Sequence, residues 1–105
     1  MKSFLLAPAA AQDLEEIEAY IARDRPSAVT GVLDALEAAC QLVADYPGVG
    51  RAREEIDEGV TSFPMGSYVL FYYRDDLPFG IARILHGSRD LATAFQDDSQ
   101  GIGED

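Results

Sequence analysis

Six consecutive residues, Tyr68-Val69-Leu70-Phe71-Tyr72-Tyr73, carry no charge and do not alternate between apolar and polar. Aromatic and β-branched residues at this density read as a strand. A strand with one wet face alternates. This one turns Tyr68, Leu70 and Tyr72 to one side and Val69, Phe71 and Tyr73 to the other, so both sides call for cover. Arg74-Asp75-Asp76-Leu77-Pro78 reads as a hairpin turn, and Phe79–His86 as the returning strand. In that strand Ile81 and Leu85 flank Arg83 on one face, with Ala82 and Ile84 on the other. It runs into His86-Gly87-Ser88-Arg89-Asp90, a polar cluster holding the chain's only histidine. If the chain has a site, the convergence of Arg, His and Tyr places it on this hairpin and its exit.

The preceding residues predict what packs against the hairpin. Ser3–Ala7 is a short strand candidate. Pro8 suits the first position of a helix, whose apolar positions are Leu14, Ile17 and Ile21. That helix should stop near Arg23–Arg25, with Pro26 opening a second. Val29, Leu33, Leu36, Cys40 and Val43 recur at helical spacing, widened by Val32, Ala39, Leu42 and Tyr46, until Tyr46-Pro47-Gly48 ends the helix. Gly48-Val49-Gly50-Arg51-Ala52-Arg53 lacks the lysine and hydroxyl of a phosphate loop. It reads as a connector that frees Arg51 and Arg53 for surface contacts. Glu54–Glu58 reads as solvated, Gly59–Pro64 as a strand, and Leu91–Phe95 as a short terminal helix. The fold class is therefore α+β, in the order β-α-α-β-β-β. A helical hairpin packs on one face of a small, mainly antiparallel sheet. Residues 1–96 form one domain, and the acidic stretch 97–105 is expected to be a disordered tail. Two helices cover one sheet face, so a partner segment is expected on the other.

Charge narrows the function classes. The net charge is −11, and Lys2 is the only lysine. Phosphate backbones repel such a chain, so strong nucleic-acid binding by the chain alone is not expected. No apolar run reads as a bilayer span, and Met1–Pro8 is too short for a signal-peptide core. With a lone Cys40, expected to be a buried inert thiol, this points to the cytoplasm and to no membrane partner. One His and one Cys far apart give no metal site, and no cofactor motif is present.

The residues Ala10, Asp13-Leu14, Ile17 and Tyr20-Ile21-Ala22 form the first part of a wider pattern. Pro26, Pro47, Gly50-Arg51, Arg53, Gly66–Arg74, Ile84-Leu85-His86-Gly87 and Arg89-Asp90-Leu91 complete it. In this order they resemble the ParE branch of the RelE/ParE toxin superfamily, from about Leu5 to Phe95. The resemblance implies the toxin of a type II toxin–antitoxin pair. A ParD-like antitoxin would neutralise it by wrapping an amphipathic segment over it. The ParE branch implies inhibition of DNA gyrase by a protein that is not an enzyme. Antitoxin or target contacts would then fall on Arg51, Arg53, Tyr68, Tyr72, Arg74, Arg83 and Arg89. The RelE branch implies ribosome-dependent mRNA cleavage, for which Arg83, His86, Arg89 and Tyr72 are the candidate catalytic groups. A non-toxic member kept as an antitoxin-binding module is a third possibility. From the residues alone, His86 reads better as a structural histidine than a catalytic one, and Arg83 reads equally as a clamp at the end of the fold, with Asp90, and as a partner contact.

Overall fold

The computed structural model describes residues 2–88 and 91–99, with side chains through Phe95. The chain runs through β1 (Leu5–Leu6), α1 (Pro8–Asp24), a 3₁₀ turn (Pro26–Ala28), α2 (Val29–Asp45) and a second 3₁₀ turn (Pro47–Val49). It continues through β2 (Arg51–Ala52), β3 (Val60–Met65), β4 (Tyr68–Tyr73), β5 (Gly80–His86) and α3 (Leu91–Ser99). The sheet order is β1-β5-β4-β3-β2. β1 joins β5 in parallel, and every other pairing is antiparallel. This is the expected α+β architecture, with one added strand. Arg51–Ala52, read as connector, pairs with Ser62 and Thr61 at the sheet's outer edge.

Prolines punctuate the helices. Pro8 opens α1, where its missing N–H costs no hydrogen bond. Pro26 opens the 3₁₀ turn that feeds α2, so the α-helix proper begins three residues later than the proline suggests. The centre of the α2 stripe is buried: Leu36, Ala39, Cys40, Val43 and Ala44. Its expected flank is not, because Leu42 is 39% exposed and Tyr46 65%. By length and composition Pro26–Asp45 is apolar enough to cross a membrane, which corrects the reading that no run was. In the fold its apolar side lies on the sheet instead. β3 and β4 are joined by Gly66-Ser67. The positive φ of Gly66 (60°) meets the need of a tight hairpin whose first central residue is glycine.

Two cores sandwich the central hairpin. On the helical side, Leu70, Tyr72, Ile81 and Ile84 meet Ala10, Ile17, Leu36 and Cys40. On the opposite side, Phe71 and Leu85 meet Ile56, Val60, Ala94 and Phe95. The chain therefore supplies much of the cover that was expected from a partner. α3 lays Phe95 against Phe71, with ring centroids 5.5 Å apart. Ile56, the one apolar residue in a charged run read as solvated, is 2% exposed beneath the sheet. α3 also extends through Ser99, into the stretch expected to be disordered from residue 97.

A β-bulge corrects the face assignment in β5. Phe71 pairs with Arg83 and Tyr72 with Ile81, so Ala82 is an extra residue. An extra residue reverses side-chain parity beyond it. Ile81 and Ile84 thus share the helical-side core, while Ala82 and Leu85 lie on the α3 side.

Candidate functional site

The hairpin residues singled out by sequence fall into separate environments. Tyr72 is buried, and its hydroxyl donates to the Pro47 carbonyl at 2.8 Å while accepting from the Gly50 N–H at 3.2 Å. Burial pushes its phenol pKa up, partly offset by the Gly50 N–H and the charge of Arg74. A Cβ on Gly50 would lie 2.4 Å from that hydroxyl and 2.6 Å from the Ser62 carbonyl oxygen. The glycine-rich connector is thus shaped by close packing over Tyr72 rather than by a ligand.

Arg83 is buried, with a guanidinium spanning three elements. Nε and one terminal nitrogen donate to the two carboxylate oxygens of Asp13 at 2.8 and 2.7 Å. The other terminal nitrogen donates to the Ala94 carbonyl at 3.0 Å. Asp13 also accepts the Ile84 N–H at 2.8 Å, serving the β5 edge beyond the reach of the short β1. The clamp expected of Arg83 exists, but its partner is Asp13 in α1. Asp90 lies outside the described residues. A guanidinium held this way is not presented to a phosphate or to a partner surface.

His86 is exposed at the far end of β5, opposite Tyr68. Their rings meet edge-on, 5.4 Å apart. The Ser88 backbone N–H donates to His86 Nδ1 at 3.1 Å, and Ser88 Oγ lies 2.8 Å from the same nitrogen. A backbone N–H only donates, so Nδ1 is the acceptor and a neutral ring carries its proton on Nε2. Tyr72 pairs with Ile81, about 14 Å of strand away from the Tyr68–His86 pair. Arg83, His86 and Tyr72 do not converge, and Arg89 lies outside the described residues.

Three further candidate arginines, Arg51, Arg53 and Arg74, lie toward the β2 end of the sheet. Arg51 is exposed on β2. Arg53 is half-buried, tied to Glu55 at 2.7 Å and to Ser62 Oγ at 3.3 Å. Arg74 is exposed after β4, beside Gly48. Tyr73 donates its hydroxyl to Asp57, and burial with the nearby carboxylates raises its pKa strongly.

The most evident concave apolar surface lies elsewhere. Between α1 and α2 is a groove of about 380 Å³, walled by Phe4, Leu6, Leu14, Leu33 and Leu36, with Cys40 also lining it. Glu15, Glu18 and Glu37 rim it, and among the described residues no Lys or Arg does. Burial and the Glu37 charge push the Cys40 thiol up to about 11, so it stays protonated and inert at neutral pH. Among the described residues, no group of three His, Cys, Asp or Glu side chains is placed to hold a metal ion.

Residues 4–91 match the family model described as the ParE toxin of the type II toxin–antitoxin system parDE. The chain belongs to the ParE toxin family. It is also similar to Toxin ParE1 of Caulobacter vibrioides, at 32% identity over 91 residues, covering 84% of this chain and 92% of that protein. The match spans α1, α2 and all five strands, and ends at the first residue of α3.

The groove of this ParE-family chain escaped sequence reading. By helical spacing alone Leu14 and Leu33 belong to the core stripes of their helices, and nothing in the apolar pattern marks Glu15 and Glu18 as a rim. The available signal was the i, i+3 pairing of glutamates beside an apolar stripe, matched by Glu37 beside Leu33 and Leu36.

Proposed function

We propose that this chain is the toxin of a type II pair, neutralised by a ParD-like antitoxin. The antitoxin lays a basic amphipathic helix into the groove between α1 and α2. The carrying observation is the groove itself: an apolar floor of Phe4, Leu6, Leu14, Leu33 and Leu36 rimmed by three glutamates and, among the described residues, by no cation. Such a groove favours i, i+3, i+4 apolar anchors flanked by Lys or Arg. The sheet face first expected to take the antitoxin is largely occupied by α3, which supports the groove as the docking surface.

When free, the toxin acts on DNA gyrase and does not cleave RNA. RNA cleavage needs a base, an acid and cations gathered on one phosphate. Here Arg83 is spent on Asp13, Tyr72 on Pro47 and Gly50, and His86 Nδ1 on Ser88. The net charge of −11 also opposes approach to RNA. That action belongs in the cytoplasm, where the thiol of Cys40 stays reduced.

The test is antitoxin association measured with Glu15→Lys, Glu18→Lys and Glu37→Lys combined. All three side chains are exposed, so the variant keeps its fold. Association at low salt is expected to slow about tenfold or more, and its salt dependence to weaken. An unchanged rate would remove the groove from the interface.

A further inference from the structure

On the other side of α1 from the groove, two neighbouring depressions of about 280 and 200 Å³ share Tyr20, Tyr68 and His86. The larger has Ile17 and Ile84 among its apolar lining and Glu16 as its carboxylate not committed to an internal ion pair. Asp13 also lines it but is spent on Arg83. Among the described residues no Lys or Arg lines it. The smaller is flanked by Asp24 and Arg25. Tyr20 is 63% exposed, so its ring is open to solvent beside both depressions.

The geometry points to the larger depression as a socket for one arginine side chain of the antitoxin. Four features argue for this occupant. The volume falls below that of ordinary small-molecule pockets and suits a single side chain. Aromatic walls with a carboxylate attract a planar cation through ring faces and a charged hydrogen bond. Tyr20 already draws a guanidinium within the chain, since Arg23 lies 5.8 Å from its ring centroid. Glu16 takes one hydrogen bond, from Gln12 at 3.1 Å, leaving acceptor capacity for an incoming donor.

The assignment of the arginine to an antitoxin rests on the function proposed above. The socket's preference for guanidinium is a property of this chain alone. An antitoxin segment leaving the groove would cross the acidic ridge of α1 at Glu15, Glu16 and Glu18 to reach it. The socket then acts as a second anchor that the groove alone does not supply.

Because His86 is the only histidine, its ring protons give a single reporter by NMR. The probe is N-acetyl-arginine methylamide, titrated into the full chain without antitoxin, with adenosine monophosphate as the anionic comparison. A saturable His86 shift with the arginine amide, weakened about threefold or more by Tyr20→Ala and by Glu16→Gln, is expected. No saturable shift would overturn the socket, as would a stronger response to the nucleotide. In a second arm, Tyr20→Ala with Glu16→Gln is expected to weaken antitoxin binding about tenfold. Unchanged antitoxin affinity in that variant would overturn the antitoxin as source while leaving the groove reading intact. If the unmodified chain binds no antitoxin, the antitoxin reading itself falls, and the probe titration still decides the socket.

Discussion

Asp13 and Arg83, seventy residues apart, form a bidentate ion pair that is buried from both sides and ties α1 to β5 and α3. The same aspartate satisfies the Ile84 N–H, so one carboxylate serves as ion-pair partner and as substitute strand edge. Removing either partner strands the other charge in the core. Asp13→Ala is expected to cost about 3–5 kcal/mol, a large share of the stability of an ordinary domain. Urea unfolding followed by circular dichroism measures it. A loss below about 1 kcal/mol would show the pair to be solvated in solution.

Arg83 shows where sequence reading reaches and where it stops. A clamp role was legible, because an arginine between Ile81 and Leu85 must be paired if buried. Its partner was not, because nothing local distinguishes Asp13 from the other acids of α1 before the helix is docked. The face of each β5 residue also escaped, since the Ala82 bulge has no sequence signature and reverses the parity on which the reading relied. The order of elements was readable from Pro8, Pro26, Pro47 and the Tyr68–Tyr73 run. The cover supplied by Ile56 was hidden in a run whose composition looked wet, and that of Phe95 in a short helix whose docking place nothing local specifies.

Gly50 sits where a methyl group has no room, 2.4 Å from the Tyr72 hydroxyl and 2.6 Å from a backbone oxygen. The backbone oxygen cannot swing aside as a flexible side-chain end would. Gly50→Ala is expected to lower stability by about 1–3 kcal/mol through overpacking. Tyr72→Phe leaves the Gly50 N–H and Pro47 carbonyl without their partner and is expected to cost about 1 kcal/mol. Thermal melts of the two variants check both. Equal stability of Gly50→Ala and the unmodified chain would mean that the connector is looser than its packing indicates.

Cys40 sets an alkaline limit. Its thiol ordinarily ionises at 9.0 and is pushed up to about 11 in the fold by burial and by Glu37. Above pH 9 the unfolded chain therefore loses this proton first. Stability falls with rising pH until the folded thiol also ionises near 11. Tyr68, Tyr72 and Tyr73 are shifted in the same direction and add to the fall above their ordinary value of 10.0. Urea midpoints should drop from pH 8 to pH 10, less steeply in Cys40→Ala. Iodoacetamide should label Cys40 in the native chain far more slowly than in urea at the same pH. Rapid native labelling would place the thiol in an open groove rather than under it.

The most direct measurement is DNA gyrase supercoiling with the purified chain, with antitoxin absent or present. The groove variant carrying Glu15→Lys, Glu18→Lys and Glu37→Lys runs in parallel. The expected result is loss of supercoiling by both chains, with antitoxin restoring it for the unmodified chain at concentrations that fail for the variant. Full supercoiling in the presence of demonstrably folded, antitoxin-free chain would contradict gyrase as the target. Equal rescue of both chains would contradict the groove as the surface through which the toxin is silenced.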